Sequence, residues 1–347
     1  MIIRKIQPSE AQAVKKIAKR AFLGIERFFV SNPKEAMVAV IDDKIVGGII
    51  IKYIVSGLHK IGYYDLAFID PDYQGRGIGK ALYEKTTEYL WEQNCTAICA
   101  AVKDDNVGSW QLFLNNGLHR VSLGEVVRHL GLKATFQLYF TTPFFISNGM
   151  ELYFSAKNNE VHPKNSGTGK QILLYLLANL LLLLAAPQAR SHFLLFYSAV
   201  FTLLIGGIVF GYIGTLFSKK PWRFRLNSGG AIICGFINFS GSVFPMIGNW
   251  YPLRYENTKA FRKNMGIAAL SEWIFVLAAT ILSVFLQEHH NYFNYLASIG
   301  SMLLVYRIIA LYPFESFGGY RILKWNKAIY AVLVLISCLV FAFKMYI

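Results

Sequence analysis

The spacing of apolar and polar residues divides the chain near residue 170. Before that point, short apolar runs alternate with polar turns, which predicts the strands and helices of a water-soluble domain. After it, long apolar runs approach the ~20 residues that cross a bilayer as a helix. The sequence therefore predicts a soluble domain at residues 1–154, a polar linker at 155–170 and a membrane domain at 171–347.

The soluble part predicts the order strand, helix, three strands, helix, strand. The first helix is expected to begin at Ser9, with Gln12 three residues later completing a capping box. The residues between 36–41 and 44–54 have the signature of a hairpin turn. The other predicted strands are 2–6, 61–69, 95–102 and 134–140, the last completing the sheet, and the second helix is 78–91. Residues 141–154 are expected to form an added hairpin.

A glycine-rich turn, Gln74–Lys80, lies between the predicted strand 61–69 and the helix that follows. Glycine permits positive φ and close approach of a ligand to the backbone. The first amides of a helix lack internal partners and lie at the positive end of its dipole. The turn is therefore suited to phosphate oxygens. It lacks the Gly-Lys-Ser/Thr ending of a P-loop, and glycines at 75, 77 and 79 do not match the Rossmann spacing.

The spacing that fits is Gln/Arg-x-x-Gly-x-Gly/Ala, met by Gln74, Gly77 and Gly79. It resembles the acyl-CoA motif of the GNAT superfamily of N-acetyltransferases. The resemblance implies an α/β GNAT fold, which is a mixed central sheet with helices on both faces, and acetyl-CoA as co-substrate. It places the coenzyme against Phe68, Ile69, Gln74, Gly75, Arg76, Gly77, Ile78, Gly79 and Lys80.

A second stretch, residues 106–118, resembles the family's helix and turn with Asn followed by Leu-Tyr-x-x-x-Gly-Phe. The resemblance places Asn106 on the pantetheine arm. The family's tyrosine, the general acid for the departing thiolate, is replaced by Phe113. Because a phenyl ring cannot donate a proton, the substrate ammonium, a water or a nearby tyrosine would have to supply it.

Acetyl transfer to an amine also needs a base. Asp65 is the carboxylate within the strand 61–69, and alternation is expected to place Tyr63, Asp65 and Ala67 on one face. The competing interpretation makes Asp65 a hydrogen-bonded structural residue. His119 and His129 are the other candidates, although each is typical of a surface residue.

Composition and charge agree with this division. Hydrophobic residues make up 54% of the chain and charged residues only 16%, against a globular norm of roughly 45–50% and 25%. The four cysteines form no Cys-x-x-Cys pair, and the N-terminus has no signal-peptide pattern. The net charge of +15 is explained by basic loops beside anionic lipids. No nucleic-acid partner is predicted.

The back part predicts five membrane spans. They are residues 171–187, 192–217, 266–287, 294–313 and 327–345. A sixth stretch, 229–248, is rich in Gly, Ser and Asn, so it is expected to enter and leave the bilayer on one side. That path keeps the basic loops at 219–225 and 254–263 on the cytoplasmic side. The predicted location is the cell membrane, with the N-terminal domain cytoplasmic.

Residues 257–282 and 312–327 resemble, more faintly, two segments of membrane site-2 metalloproteases. Those enzymes bind zinc through His-Glu-x-x-His and a further Asp. The chain has no such motif, residues 205–211 occupy its place, and Gly318 replaces the Asp. No metal is predicted. Glu272 and Arg307 fall inside predicted spans, where ionisable residues are costly, so we expect them to pair.

These features lead to two hypotheses. The first is a membrane-anchored N-acetyltransferase that moves an acetyl or other acyl group from coenzyme A to an amine of a membrane-associated peptide, protein or lipid. The second is a sensor, in which acyl-CoA binding controls a membrane domain that binds a partner or peptide. Turnover of acetyl-CoA distinguishes them.

Overall fold

The computed structural model describes residues 1–22, 27–28, 30, 32–103, 106–145, 147–157, 160–164, 166–253, 256, 258–311 and 314–346. The chain divides into two compact units. The front unit comprises Met1–Phe144 and Met150–Asn165. The back unit comprises Phe145–Gly149 and Ser166–Ile347.

The front unit is built on a seven-stranded sheet in the order β1-β2-β3-β4-β5-β7-β6. Its strands are β1 Ile2–Lys5, β2 Ala36–Ile41, β3 Lys44–Ser56, β4 His59–Ile69, β5 Ala97–Lys103, β6 His119–Arg120 and β7 Met150–Ala156. All neighbours are antiparallel except β4 and β5, which are parallel. The sheet is therefore mixed, as predicted.

Helices cover both faces of this sheet. They are α1 Ala11–Ala21, α2 Ile78–Glu92, α3 Val107–Asn115 and α4 Leu123–Thr141. Val14 and Ala18 of α1 share a core with Ile50 and Phe68. On the other face, a Cβ added at Gly62 would lie 2.8 Å from Leu90 of α2. The predicted GNAT fold class is confirmed.

Three local predictions for the front unit are wrong. Ser9 does not cap the first helix; the capping box instead joins Gln7 and Glu10 around a 3-10 turn, and α1 begins at Ala11. Residues 134–140 are helical, because Ala134, Thr135, Leu138 and Tyr139 are buried together within α4 at helical spacing. The strand beside β5 is β7, which lies in the region predicted to be an added hairpin.

The back unit is helical, as predicted, apart from one two-stranded sheet. Its helices are α5 Thr168–Leu183, α6 Pro187–Ser191, α7 Phe193–Thr215, α8 Ala231–Phe239, α9 Lys259–Leu286, α10 Asn291–Ile308, α11 Gly319–Trp325 and α12 Lys327–Tyr346. Among the described residues, three helices are long and apolar enough to cross a membrane: Phe193–Thr215, Lys259–Leu286 and Lys327–Lys344. The helix Thr168–Leu183 is apolar but shorter. The five-span count stays a prediction.

The predicted re-entrant segment 229–248 lies between paired strands. β8 Trp222–Leu226 pairs antiparallel with β9 Gly248–Pro252, so Leu226 is opposite Gly248. Helix α8 and a turn fill the interval. Both ends of the segment therefore lie side by side, although the sequence analysis did not foresee the strands. Arg254, Asn257, Tyr312 and Pro313, used in the predictions above, lie outside the described residues.

Candidate functional site

The glycine turn has the open geometry that a phosphate ligand needs. Gly75 and Gly77 have φ of 79° and 78°, in the left-handed region. A Cβ added at either position would meet nothing within 4 Å. Gly77 is the N-cap of α2 and offers no side chain to its first amides. The turn thus leaves space and backbone donors at the positive end of the helix.

Gly79 has a different role, because it lies where α2 packs. A Cβ there would lie 3.3 Å from Ile69 and 3.5 Å from Leu112. Gln74 donates from Nε2 to the Ile69 carbonyl oxygen at 3.3 Å, which fastens the start of the turn to the end of β4. Arg76 donates to the Asp72 carbonyl oxygen at 3.2 Å. Lys80, in the first turn of α2, is exposed. Gln74, Gly75, Arg76, Gly77 and Lys80 are therefore open to solvent, whereas Ile78 is buried under the start of α2.

The sheet opens beside this turn. β4 pairs with β5 from Ile61 to Tyr64 only, although β4 continues to Ile69. The register with β3 shifts at the same point: Ile51 is opposite Tyr64 and Ile50 is opposite Leu66, which leaves Asp65 as a bulge residue. A bulge bends a strand and disrupts its pairing. The strands separate where the bulge begins, which leaves an opening between the end of β4 and β5.

The bulge also overturns the predicted alternation along β4. Tyr63 pairs with Lys52, whereas Ala67 pairs with Ile49, an odd number of residues away on β3. Tyr63 and Ala67 therefore point to opposite faces. Asp65 lies on the Tyr63 side, because its Oδ1 is 2.8 Å from Lys52 Nζ.

Asp65 has properties of both predicted roles. Its side chain is 9% exposed and is held by an ion pair with Lys52, as a structural residue would be. It also lies where β4 and β5 separate, as the base predicted from the sequence would. His129 bonds with Glu125 at 3.1 Å in α4, and His119 pairs with Phe154 in the sheet. The structure thus gives both histidines local partners within the front unit.

The backbone amides at the end of β4 differ in the direction in which they point. Asp70 donates to the Val46 carbonyl oxygen at 2.8 Å. Because N–H groups alternate sides along an antiparallel strand, the Phe68 amide also points toward β3, and the Ile69 amide points toward the opening. The Phe68 side chain packs in the core with α1. Ile69 is therefore the predicted residue whose amide faces the opening.

The second motif places Asn106 and Phe113 on α3. Asn106 is the N-cap, with its side chain accepting from the Ser109 amide at 3.2 Å. Phe113 is buried, and its ring makes edge contacts with Tyr64 at 5.0 Å and Tyr83 at 4.8 Å between centroids. Tyr153 of β7 stacks on it at 6.0 Å. Three tyrosine rings therefore surround Phe113, the residue that lacks the family's hydroxyl group.

The hydroxyl groups of Tyr64 and Tyr83 have different hydrogen-bond partners. Thr87 donates to the Tyr83 carbonyl oxygen, so Tyr64, 2.7 Å from Thr87 Oγ1, is the donor in their hydrogen bond. Burial raises the pKa of Tyr83 to about 12, and its hydrogen bond with Ser109 acts in the opposite direction. Because Ser109 lies in the first turn of α3 and its amide donates to the Asn106 side chain, the Tyr83 hydroxyl lies close to the predicted pantetheine contact.

Sequence reasoning missed a cleft of about 400 Å³ in the front unit. It is bordered by residues 51–55 of β3, Tyr63 of β4 and the end of α4. Its lining side chains are Lys34, Glu35, Ile51, Lys52, Tyr53, Ile54, Val55, Tyr63, Gln137 and Thr141. Gln137 was predicted to lie in a strand and Thr141 in a hairpin, and neither prediction placed them beside β3.

In the back unit, the predicted ion pair is confirmed. Arg307 donates to Glu272 Oε1 at 2.6 Å and also to the Phe317 carbonyl oxygen. A Cβ at Gly207 would lie 3.3 Å from Glu272, and one at Gly318 would lie 3.6 Å from Arg307. The pair therefore lies between the two positions at which the protease resemblance would place metal ligands. The described residues hold no group of three or more His, Cys, Asp or Glu side chains arranged for a metal.

Comparison with known proteins supports the assignment of the front unit. Residues 5–118 match the acetyltransferase (GNAT) family model. No curated protein matches the chain significantly. Solved structures with a similar fold include the ribosomal-protein-S18-alanine N-acetyltransferase from Escherichia coli, at 17% identity over 48% of this chain and 97% of that one, with a TM-score of 0.33.

Two further structures are similar to part of this chain. Ard1 from Thermoplasma volcanium shares 18% identity over 46% of this chain and 98% of that one, with a TM-score of 0.32. A chain of the NatC complex bound to Gag peptide and CoA shares 16% identity over 46% of this chain and 100% of its own, also with a TM-score of 0.32. Because these identities and TM-scores are low, the assignment of the front unit depends on the family match.

Proposed function

Because residues 5–118 form an acetyltransferase domain of the GNAT family, we propose that the chain is a membrane-anchored enzyme that acetylates an amine presented at a membrane. The observation that carries the proposal is the open glycine turn beside the parted strands β4 and β5. Acetyl-CoA is the co-substrate that the family implies. Amides of Gly75–Lys80 would hold its pyrophosphate, and Asn106 its pantetheine arm.

The proposed transfer needs three roles from this chain. Asp65 takes the proton from the attacking amine as the new C–N bond forms. The Ile69 amide donates to the carbonyl oxygen while it carries negative charge. As the C–S bond breaks, the leaving thiolate receives a proton from Tyr83, since Phe113 has none to give. The other donors predicted from the sequence, the substrate ammonium and a water, are tested against Tyr83 below.

Membrane attachment is the second part of the proposal. Three apolar helices, Phe193–Thr215, Lys259–Leu286 and Lys327–Lys344, have the length and composition to cross a bilayer. Basic residues between them, such as Lys219 and Lys220, favour the cytoplasmic side. The amine acceptor is a membrane-associated peptide, protein or lipid, and the lipid bilayer is itself a partner.

Transfer of a label tests this proposal. The detergent-purified chain is incubated with acetyl-labelled CoA and membranes of its host, and the lipid and polypeptide fractions are then separated. Label in either fraction, lost on Gly77→Glu, would establish transfer and identify the acceptor class. Saturable binding of acetyl-CoA with no label transferred would reject the proposal that the chain is an acetyltransferase.

A sensor is the second candidate, and Phe113 is the observation that favours it. Without the family's tyrosine, a site could bind acyl-CoA and release it unchanged. The back unit would then bind a partner or peptide on a protease-like scaffold without metal ligands. The same labelling experiment separates the two functions, because a sensor leaves acetyl-CoA intact.

A further inference from the structure

The last five residues of β3 have one edge that no other described strand covers. β2 pairs with β3 only as far as Ala36 opposite Ile50, and the last link is the Ile51 amide, which donates to the Glu35 carbonyl oxygen at 2.9 Å. Residues 52–56 pair with β4 alone. The sheet therefore has a free edge where β3 extends past the end of β2.

Two residues on this edge direct their backbone groups away from β4. Successive residues of an antiparallel strand alternate between its two neighbours, so Tyr53 and Val55 face the same side as Ile51. The bond from the Gln137 side chain to the Val55 carbonyl oxygen, at 3.0 Å, agrees with this direction. Within the described part of the chain, no backbone group pairs with the amides of Tyr53 and Val55 or with the Tyr53 carbonyl oxygen. The edge thus offers two donors and one acceptor.

This free edge borders the 400 Å³ cleft. All five residues from 51 to 55 line it, together with Gln137 and Thr141 at the end of α4. Val55 is 61% exposed, so the edge can be reached from solvent. An extended polypeptide is the ligand that matches backbone donors and acceptors at strand spacing, because it adds to the sheet as a further strand.

The charges that line the cleft leave one cation unmatched. Lys5 Nζ is 2.9 Å from Glu35 Oε1, and Lys52 Nζ is 2.8 Å from Asp65 Oδ1, so each of these charges is balanced. Lys34 is exposed, lines the cleft and forms no ion pair with another described residue. The cleft therefore favours an acidic side chain on the polypeptide that it binds.

The cleft also adjoins the proposed base. Lys52 lines the cleft and holds Asp65 through their ion pair. Tyr63, which pairs with Lys52 across β3 and β4, lines it as well. One side chain, that of Lys52, thus contacts both the cleft and Asp65.

We propose that the cleft binds an acidic polypeptide as an extended strand beside residues 52–56 of β3, and that this polypeptide presents the amine that is acetylated. The inference rests on the proposed acetyl transfer and specifies its acceptor as a polypeptide. The peptide backbone pairs with Tyr53 and Val55, and an acidic side chain pairs with Lys34. The reaction is the transfer described above, with the C–N bond formed on the peptide's amine and coenzyme A released as the thiol.

Binding of a short peptide to the full chain in detergent tests the site apart from turnover. The probe is a fluorescein-labelled hexapeptide of alternating glutamate and valine with a free N-terminus, and its binding is measured by fluorescence anisotropy. Val55→Pro removes an amide that faces the free edge, so the pairing of β3 with β4 remains. It should weaken binding by about tenfold, the upper end of what one hydrogen bond contributes. Val55→Ala keeps the amide and should lose less affinity.

Methylation of the peptide's own amides gives an independent signature of strand pairing. At the residues whose amides face β3, N-methylation should weaken binding, and at the alternate residues it should not. A peptide that binds through its side chains alone would show no such alternation, which would overturn the proposed strand.

The charge of the cleft has its own test. Lys34→Glu should lower the affinity for the glutamate peptide by about fivefold and raise that for the same peptide with lysine in place of glutamate. Lys44→Glu is the matched control, because Lys44 is exposed at the start of the same strand and does not line the cleft. It should bind both peptides as the parent does, and each variant should keep its affinity for acetyl-CoA.

Several results would overturn the inference and leave acetyl transfer standing. They are equal losses for Val55→Pro and Val55→Ala, no saturable binding of either peptide, and faster acetylation of phosphatidylethanolamine vesicles than of the peptide. A parent that sediments as a dimer, with Val55→Pro monomeric, would assign the edge to a second copy of the chain and also overturn it. Peptide and acetyl-CoA both bound, with no acetyl group transferred to any amine, would overturn the proposed function together with the acceptor role.

Discussion

The ring of Phe113 lies edge-on to that of Tyr83, with 4.8 Å between their centroids. This contact places a phenolic hydroxyl on α2 beside the position at which the family carries its own on α3. Burial raises the pKa of Tyr83 to about 12, so its hydroxyl is protonated at neutral pH, and it is hydrogen-bonded with Ser109.

Phe113→Tyr should therefore raise kcat, because it adds a second hydroxyl at the leaving group. Tyr83→Phe should lower kcat by tenfold or more, near the lower end of the ~10²–10⁴ range for general acid catalysis. The double variant Phe113→Tyr/Tyr83→Phe should recover most of that loss. Steady-state kinetics with acetyl-CoA measure all three. A Tyr83→Phe enzyme with unchanged kcat would assign the proton to the substrate ammonium or to water.

Gly77→Glu should abolish acetyl-CoA binding, because it places a carboxylate where the pyrophosphate is held. The matched control is Gly57→Glu in the turn between β3 and β4. Gly57 also has a left-handed φ of 59° and open space around its Cβ position. Each variant should carry a similar backbone strain of about 1–2 kcal/mol. Isothermal titration with acetyl-CoA should show a loss of affinity for position 77 alone, and equal losses would refute the assignment of the turn.

Asp65→Asn should reduce kcat by ~10²-fold or more while acetyl-CoA affinity stays the same. The amide keeps the size of the side chain and loses its ability to take a proton. Lys52→Met serves as the comparison, since it removes the ion pair and preserves the carboxylate. It should retain kcat and lower KM for the amine, which no longer competes with Lys52. If Asp65→Asn lowers only thermal stability, the residue is structural.

Breaking the Glu272–Arg307 pair should destabilise the back unit. The Arg307 side chain is 6% exposed and that of Glu272 21%. Glu272→Gln leaves a buried cation without its partner, a change that costs about 3 kcal/mol or more. Glu256→Gln is the control, because its ion pair with Lys220 is largely exposed and is worth at most about 1 kcal/mol.

Thermal unfolding in detergent compares these variants. The charge-reversed double variant Glu272→Arg/Arg307→Glu should recover part of the stability lost by either single change. If it is no more stable than the single variants, the two side chains do not act as a pair.

Glu10 should make the stability of the front unit depend on pH. Hydrogen bonds from Arg4, at 2.6 and 2.8 Å, hold the pKa of Glu10 at about 2, below its ordinary value of 4.5. The stabilisation is therefore complete above pH 4.5 and is lost as the pH falls through 2. Urea unfolding of the parent and of Glu10→Gln should differ at neutral pH and converge toward about pH 2. A difference that is constant over this range would contradict the assignment.

The fold of the front unit could largely be predicted because its signals are local. The hairpin of β2 and β3, the strand before the glycine turn and helix α2 each have a periodicity or a turn that fixes them. The strand predicted at residues 134–140 is wrong, because their aromatic and β-branched composition favours a strand although the segment is helical. Burial of Ala134, Thr135, Leu138 and Tyr139 on one helical face decides the structure instead.

The glycine motif of the candidate site could be predicted from the sequence, whereas the bulge and the cleft could not. Gln74, Gly77 and Gly79 carry a recognisable spacing, so the turn could be found from sequence. The bulge at Asp65 has no sequence signal, and it reverses the face of every later residue in β4. The cleft could not be foreseen because Val55 and Gln137 are 82 positions apart and come together only through tertiary packing.

The most direct test of the central claim is the release of free coenzyme A thiol. The full chain, in detergent with amines or membranes of its host, is mixed with acetyl-CoA, and thiol and N-acetyl product are measured together. The account predicts amine-dependent thiol release with one N-acetyl group formed per thiol, absent in Gly77→Glu. Saturable acetyl-CoA binding with no thiol released in the presence of amines or host membranes would contradict it.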